Sequence, residues 1–188
     1  MLDKKHIKYF KRLLPQNFVL HEPGDCWAYG YDNSKLHVLP ECVLFANKKI
    51  QIQEIIKYCF TNNIPITTRG RGTGNTGGSV PTDGSIVLSL EKMSQILNID
   101  TRNRLAVVQP GVINKKLQDM LKEENFFWGP DPSSQDYSTV GGNIANNSAG
   151  PRAIKYGTPR DNILGLEFVS GTGEIYKTGV RTSKGVVG

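Results

Sequence analysis

Thirteen residues, Thr67 to Ser79 ("TTRGRGTGNTGGS"), hold five glycines and two arginines and no lysine. Gly70, Gly72, Gly74, Gly77 and Gly78 permit positive φ and let main-chain amides crowd together, so the run is suited to cradling an anion. Arg69 and Arg71 add charge or anchor the loop. Thr73, Asn75, Thr76 and Ser79 supply neutral hydrogen-bonding groups. Two phosphate motifs fit the spacing in part. Gly72-x-Gly74-x-x-Gly77 matches the dinucleotide fingerprint, with Glu91 about 20 residues further on. That fingerprint needs its glycines to open a helix facing the pyrophosphate, whereas Pro81, Asp83-Gly84 and a strand-like run follow here. A Walker loop needs a lysine where Gly78 stands. What is left is a phosphate-cradling loop that joins strand to strand, or an ordinary glycine-rich turn.

A second polar, glycine-bearing segment, "PDPSSQDYSTVGGNIANNSAG", runs from Pro130 to Gly150. Gly141-Gly142 lets backbone approach a ligand, and Asn143, Asn146 and Asn147 can bond amide-like edges. The plainer reading is a loop filled with turn residues. Two such segments on either side of a subdomain split suit one extended ligand carrying a pyrophosphate and a polar ring system. No convincing catalytic base is present. Asp131 is the one candidate, although a loop aspartate is more often a turn residue. His6, His21 and His37 show no metal-ligand spacing, so no metal site is expected.

The elements around these segments can be read from periodicity. Asp3 caps a helix that Pro15 closes near Leu14. Cys42 to Ala46 reads as a buried strand and Asn47 as a helix cap. Ile52, Ile55, Ile56, Cys59 and Phe60 then form one helical face. Ile64 to Thr68 is a second strand, parallel to the first because a helix joins them. The glycine run therefore starts at the carboxyl end of a parallel strand, a usual ligand position. Ser85 to Leu90, 96–100 and 104–109 read as further strands. Ile113, Leu117, Met120 and Leu121 mark another helix. Residues 126–150 read as mostly irregular, and 163–179 as a hairpin turning at Gly171-Thr172-Gly173. The composition shifts near residue 95, from a βαβ part to a more antiparallel one.

The chain has 188 residues, 38% apolar and 21% charged, ordinary for a globular protein that buries a core. Its net charge of +6 is spread out and lacks an aromatic stacking pattern, so no nucleic-acid partner is expected. Three unpaired cysteines without an apolar leader suggest a reducing, cytoplasmic location. No apolar run approaches a membrane span. The amphipathic N-terminus suits peripheral contact at the inner membrane face or, more simply, packing on its own domain.

The ordered set Arg69-Gly70-x-Gly72-Thr73-Gly74-x-x-Gly77-Gly78, then "GSIVLSLEKM", then "GPDPSS…STVGGNIANNSAGPRAIKYGTPRDNILGLEFV", resembles FAD-linked oxidases of the vanillyl-alcohol oxidase superfamily, with its PCMH-type FAD-binding domain. Within it, the glycolate oxidase D-subunit and D-lactate dehydrogenase family is most similar, an early "YGYDNS" (Tyr29 to Ser34) included. The resemblance implies an α+β fold of two subdomains: a small parallel βαβ part (41–95) and a larger, mainly antiparallel sheet with helices (96–188), after an N-terminal helix and irregular segment (1–40). It implies that Arg69 to Ser79 hold the FAD pyrophosphate. Pro130, Asp131, Ser133, Thr139, Val140, Gly141, Gly142, Asn143, Gly150, Tyr156 and Gly157 would line the flavin ring or its ribityl chain, with Ile163 to Glu167 near the adenine. Some relatives bond flavin covalently through a histidine in the first segment; this segment has none, so FAD is expected to be non-covalent.

The resemblance further implies a D-2-hydroxy acid of the glycolate or D-lactate type as substrate, with hydride passing to flavin N5 in the complete enzyme. The chain corresponds to the N-terminal part of such enzymes, without the cap domain that binds substrate. Alone it is expected to be inactive, to bind FAD weakly, and to expose an apolar cap-facing surface that favours a partner subunit or self-association. The alternative is a non-catalytic flavin- or nucleotide-binding module acting with a partner chain.

Overall fold

The computed structural model describes residues 2–180. Contacts divide the chain into two compact units. One holds the residues up to Met93 together with Gly171–Gly173, and the other runs from Ser94 to Ser170 and resumes at Glu174.

The first unit opens with α1 (Lys4–Leu13), started by Asp3, whose side chain accepts the Lys5 amide. Its buried face holds His6 and Phe10. Tyr9 stacks on Tyr58 with ring centroids 3.7 Å apart, and His6 Nδ1 lies 2.9 Å from the Tyr58 hydroxyl. The amphipathic start thus packs within its own unit. After β1 (Val19–Leu20) and α2 (Pro23–Cys26) come β2 (Cys42–Phe45), α3 (Lys49–Thr61), β3 (Ile66–Arg69) and β4 (Ile86–Ser89). The sheet order is β1-β2-β4-β3. β2 and β3 each pair in parallel with β4, and β1 pairs antiparallel with β2. The parallel relation of β2 and β3 holds, but β4 lies between them. Every residue of β2 and β4 is buried, as expected of inner strands covered on both faces.

Two local expectations fail. Asn47 is not the cap of α3: Lys48 is, and the Gln51 carboxamide oxygen folds back to accept the Asn47 and Lys48 amides. Phe60 is 61% exposed, because Ile55 and Cys59 centre the buried stripe and Phe60 stands about 100° of helical turn beyond Cys59.

The second unit is built from two antiparallel hairpins with helices between. β5 (Ile96–Asp100) pairs with β6 (Leu105–Val108). α4 (Asn114–Glu123) buries Leu117 and Leu121 against Val112 and Val140, while Met120 on its flank is 38% exposed. β7 (Gly165–Val169) pairs with β8 (Ile175–Gly179). The stretch expected to be irregular contains α5 (Val140–Ala145), followed by α6 (Ala153–Tyr156) and α7 (Pro159–Asn162).

Candidate functional site

In the first unit the glycine run leaves the carboxyl end of β3 and reaches β4 without a helix. Arg69 ends β3 and is 6% exposed. Its guanidinium turns inward: Nη1 donates to the Tyr31 carbonyl at 2.7 Å and the Ser79 carbonyl at 3.4 Å, and Nη2 to the Ala28 carbonyl at 3.4 Å. Burial pushes its pKa down, against the upward pull of Asp32. Arg69 therefore anchors both ends of the loop from beneath, and its charge reaches a ligand only as a field. Gly72 has φ +66°, and a Cβ there would stand 2.2 Å from Arg69 Nη2. The backbone wraps the guanidinium at that point, which only glycine permits. Arg71 is half exposed and pairs with Glu91 at 3.5 Å.

The rest of the loop is more open. Asn75, Thr76 and Gly78 are exposed, and Gly70, Thr73, Gly74, Gly77 and Ser79 are half-buried. Among the described residues, no amide from Arg71 to Thr76 donates a hydrogen bond within the protein. The "YGYDNS" segment, noted in the sequence for its resemblance but given no role at the site, grips the loop from the other side. The Asn33 amide donates to the Gly74 carbonyl at 2.9 Å, and Asn33 Nδ2 donates to the Thr73 carbonyl at 3.3 Å. Asp32 is 4% exposed. Burial works to raise its pKa, but hydrogen bonding from the Ser34 hydroxyl and amide and from the Ser79 and Gly77 backbone outweighs it, so the carboxyl sits below the usual aspartate range.

In the second unit the expected flavin-lining residues split into two groups. The side chains of one group are committed to the interior. Thr139 caps α5, its Oγ1 accepting the Gly142 amide at 3.1 Å. Val140 belongs to the apolar core. Asn143 is 2% exposed: its oxygen accepts from Asn114 Nδ2 at 2.9 Å and its Nδ2 donates to Ser138 Oγ at 3.1 Å. Pro130 is buried, and its carbonyl accepts from Asn114 Nδ2 and Gln118 Nε2, both at 3.2 Å. Gly141 is a packing glycine, since a Cβ there would lie 2.6 Å from Pro110 Cβ. These positions offer a ligand backbone at most. Asn114, fully buried at the start of α4, ties the Pro130 segment to α5 and escaped the sequence reading.

The second group lies at the surface. Ser133 is exposed, and Tyr156 is 41% exposed with Phe127 edge-on at 4.8 Å. Asp131 takes the turn role: Oδ1 accepts the Arg152 amide at 3.1 Å, and Oδ2 lies 3.3 Å from Arg152 Nε. Gly150 (φ +90°) presses against the Asp131 carbonyl, and Gly157 (φ +79°) ends α6 against Asp161. Among the described residues no group of three or more His, Cys, Asp or Glu is placed to hold a metal, and no helix is long and apolar enough to cross a membrane.

Residues 40–179 match the model of the FAD binding domain. The chain belongs to that family. The chain is 41% identical over 175 residues to the glycolate oxidase subunit GlcD of Bacillus subtilis, covering 93% of this chain and 37% of that protein. It is 34% identical over 182 residues to a D-lactate dehydrogenase of Anaerostipes hadrus, covering 95% and 38%. Among solved structures it superposes on p-cresol methylhydroxylase with a TM-score of 0.78 at 27% identity, over 93% of this chain and 35% of that one. The chain thus has the PCMH-type fold, and it spans somewhat over a third of the length of these curated relatives.

Proposed function

We propose that the chain is the flavin-holding part of an FAD-dependent oxidoreductase acting on a D-2-hydroxy acid of the glycolate or D-lactate type. The observation that carries this reading is the loop from Arg71 to Thr76, whose amides have no acceptor among the described residues. A row of free amides above a buried guanidinium fits a diphosphate by chemistry, because backbone dipoles and a fixed cation both favour anionic oxygens. Names of relatives (glycolate oxidase subunit, D-lactate dehydrogenase, D-2-hydroxyglutarate dehydrogenase) supply the substrate class. FAD, when bound, supplies the hydride-accepting ring; this chain's residues bind and orient. Arg69 fixes the loop, and the Gly74 and Asn75 backbone meets the phosphates. Asp131 and Arg152 fix the turn that carries Tyr156. With no histidine between Arg69 and Ser79, the flavin is held without a covalent bond.

The test is titration of the purified chain with FAD, followed by flavin absorbance and fluorescence. Saturable binding is expected, and acid precipitation should leave the flavin in the supernatant. No binding at high micromolar FAD would remove the reading, and flavin in the washed pellet would remove its non-covalent part. Turnover of D-lactate and glycolate with an artificial acceptor tests the substrate class.

A further inference from the structure

We infer that Asp32 and Asn33 are positioning residues for the glycine loop: they set its peptide planes so that the Gly74 and Asn75 amides face the ligand together. The inference rests on the flavin reading above and assigns to residues outside the glycine motif the control of its geometry.

In a trans peptide the C=O and N–H of one unit point in opposite directions. No cis peptide occurs among the described residues. The Thr73 carbonyl accepts from Asn33 Nδ2, so the Gly74 N–H, in the same peptide unit, points away from Asn33. The Gly74 carbonyl accepts from the Asn33 amide, so the Asn75 N–H also points away. Two successive amides are thereby presented on one side of the loop, and neither has an acceptor among the described residues. Adjacent N–H groups turned the same way form the concavity that holds an anion.

Asp32 holds Asn33 in that place. Its Oδ1 accepts the Ser34 amide at 2.8 Å, closing a turn across Asn33 that leaves the Asn33 N–H free to meet the loop. Its Oδ2 is buried without a hydrogen bond of ordinary geometry and faces the loop, 3.8 Å from where a Gly74 Cβ would stand. A buried carboxylate needs compensation. Here it comes from the Arg69 field and from the Gly77 and Ser79 backbone, the influences that act on Asp32 from the loop side. The carboxylate lies against the loop and is stabilised from its later part, at Gly77 and Ser79, while Asn33 turns the earlier amides outward. The division leaves one outward anion site instead of a loop free to rotate its peptides.

The experiment compares wild type, Asp32→Asn and Asn33→Ala in the full chain. Each is checked for folding by circular dichroism, titrated with FAD, and followed by amide NMR as inorganic pyrophosphate is added. Asp32→Asn keeps the volume and puts a donor where an acceptor faces the loop. Its Kd for FAD should rise about tenfold, and Asn33→Ala, an exposed side chain whose loss spares the fold, should raise it about threefold, in line with one or two lost hydrogen bonds. In wild type the Gly74 and Asn75 amide signals should shift with pyrophosphate; in Asp32→Asn those shifts should shrink. If wild type binds neither FAD nor pyrophosphate, the flavin reading itself fails. If wild type binds both and the variants bind FAD as tightly, only the present inference is overturned. A lowered melting temperature with unchanged Kd and unchanged amide shifts overturns it too, since it leaves these residues a purely structural role. Should Asp32→Asn not fold, Asn33→Ala decides: an unchanged Kd refutes the inference.

Discussion

Asn114→Leu is the perturbation whose cost can be worked through most fully. The residue is fully buried, and leucine keeps the same branched skeleton of heavy atoms, so no cavity opens. Its Nδ2 makes two hydrogen bonds, to Asn143 Oδ1 at 2.9 Å and to the Pro130 carbonyl at 3.2 Å. Each contributes about 1 kcal/mol net. The two acceptors then fare differently. The Pro130 carbonyl keeps its bond from Gln118, but Asn143 Oδ1 is stranded in the interior, which costs about 1–3 kcal/mol more. The total is about 3–5 kcal/mol, which corresponds to a fall in Tm of about 10 °C or more for a chain of this size. Thermal melting by circular dichroism reads it. Coupling is the sharper measurement: Asn143→Leu removes the stranded acceptor, so the double variant should lose about 1–2 kcal/mol less than the sum of the singles. A single variant melting within about 2 °C of wild type, or strict additivity in the double, would refute the claim that this amide pair holds the Pro130 segment to α5.

Two further outcomes are expected. Gly72→Ala should both lower Tm and abolish FAD uptake, because a Cβ at φ +66° collides with the Arg69 guanidinium, whereas Gly78→Ala, whose nearest neighbour would be 3.8 Å away, should leave Tm unchanged. Burial raises all three thiols, Cys26 to about 11, Cys59 to about 12 and Cys42 further still, from an ordinary 9.0. The unfolded chain therefore ionises its thiols first, so the contribution of burying them neutral is whole below pH 9 and declines as pH rises from there towards the folded values. Urea unfolding midpoints measured from pH 8 to 11 should fall, and Cys59→Ala should flatten part of that fall; a slope unaltered by the substitution would contradict it.

Much of the architecture was legible because it follows from local rules. Asp3 and Pro15 bracket α1, and the apolar runs at Cys42, Ile64 and Ser85 became strands of one sheet. The position of β4 between β2 and β3 was not legible, since strand order depends on which edge a crossover returns to. Residues 139–145 hid a helix because Gly141 and Gly142 occupy its first turn and lower its propensity; Gly141 is there for Pro110, and Gly142 lies against the capping Thr139 hydroxyl. The loop's location was plain in "TTRGRGTGNTGGS", but the inward turn of Arg69 was not, because an arginine beside glycines suits either role. Asn114 did leave a signal. It falls on the same helical face as Leu117 and Leu121, at i, i+3 and i+7, and an amide on an apolar stripe must find partners inside.

The strand order β2-β4-β3 has a consequence for how the chain is made. A ribosome delivers β2, then α3, then β3, and only after the glycine loop does it deliver the strand that joins the first two. Until Ser89 has emerged, β2 and β3 have no partner between them and each carries open backbone edges, a state prone to mispairing. The nascent chain is therefore open to mispairing until Ser89 is made, and the glycine loop takes its shape in the same event that closes the sheet.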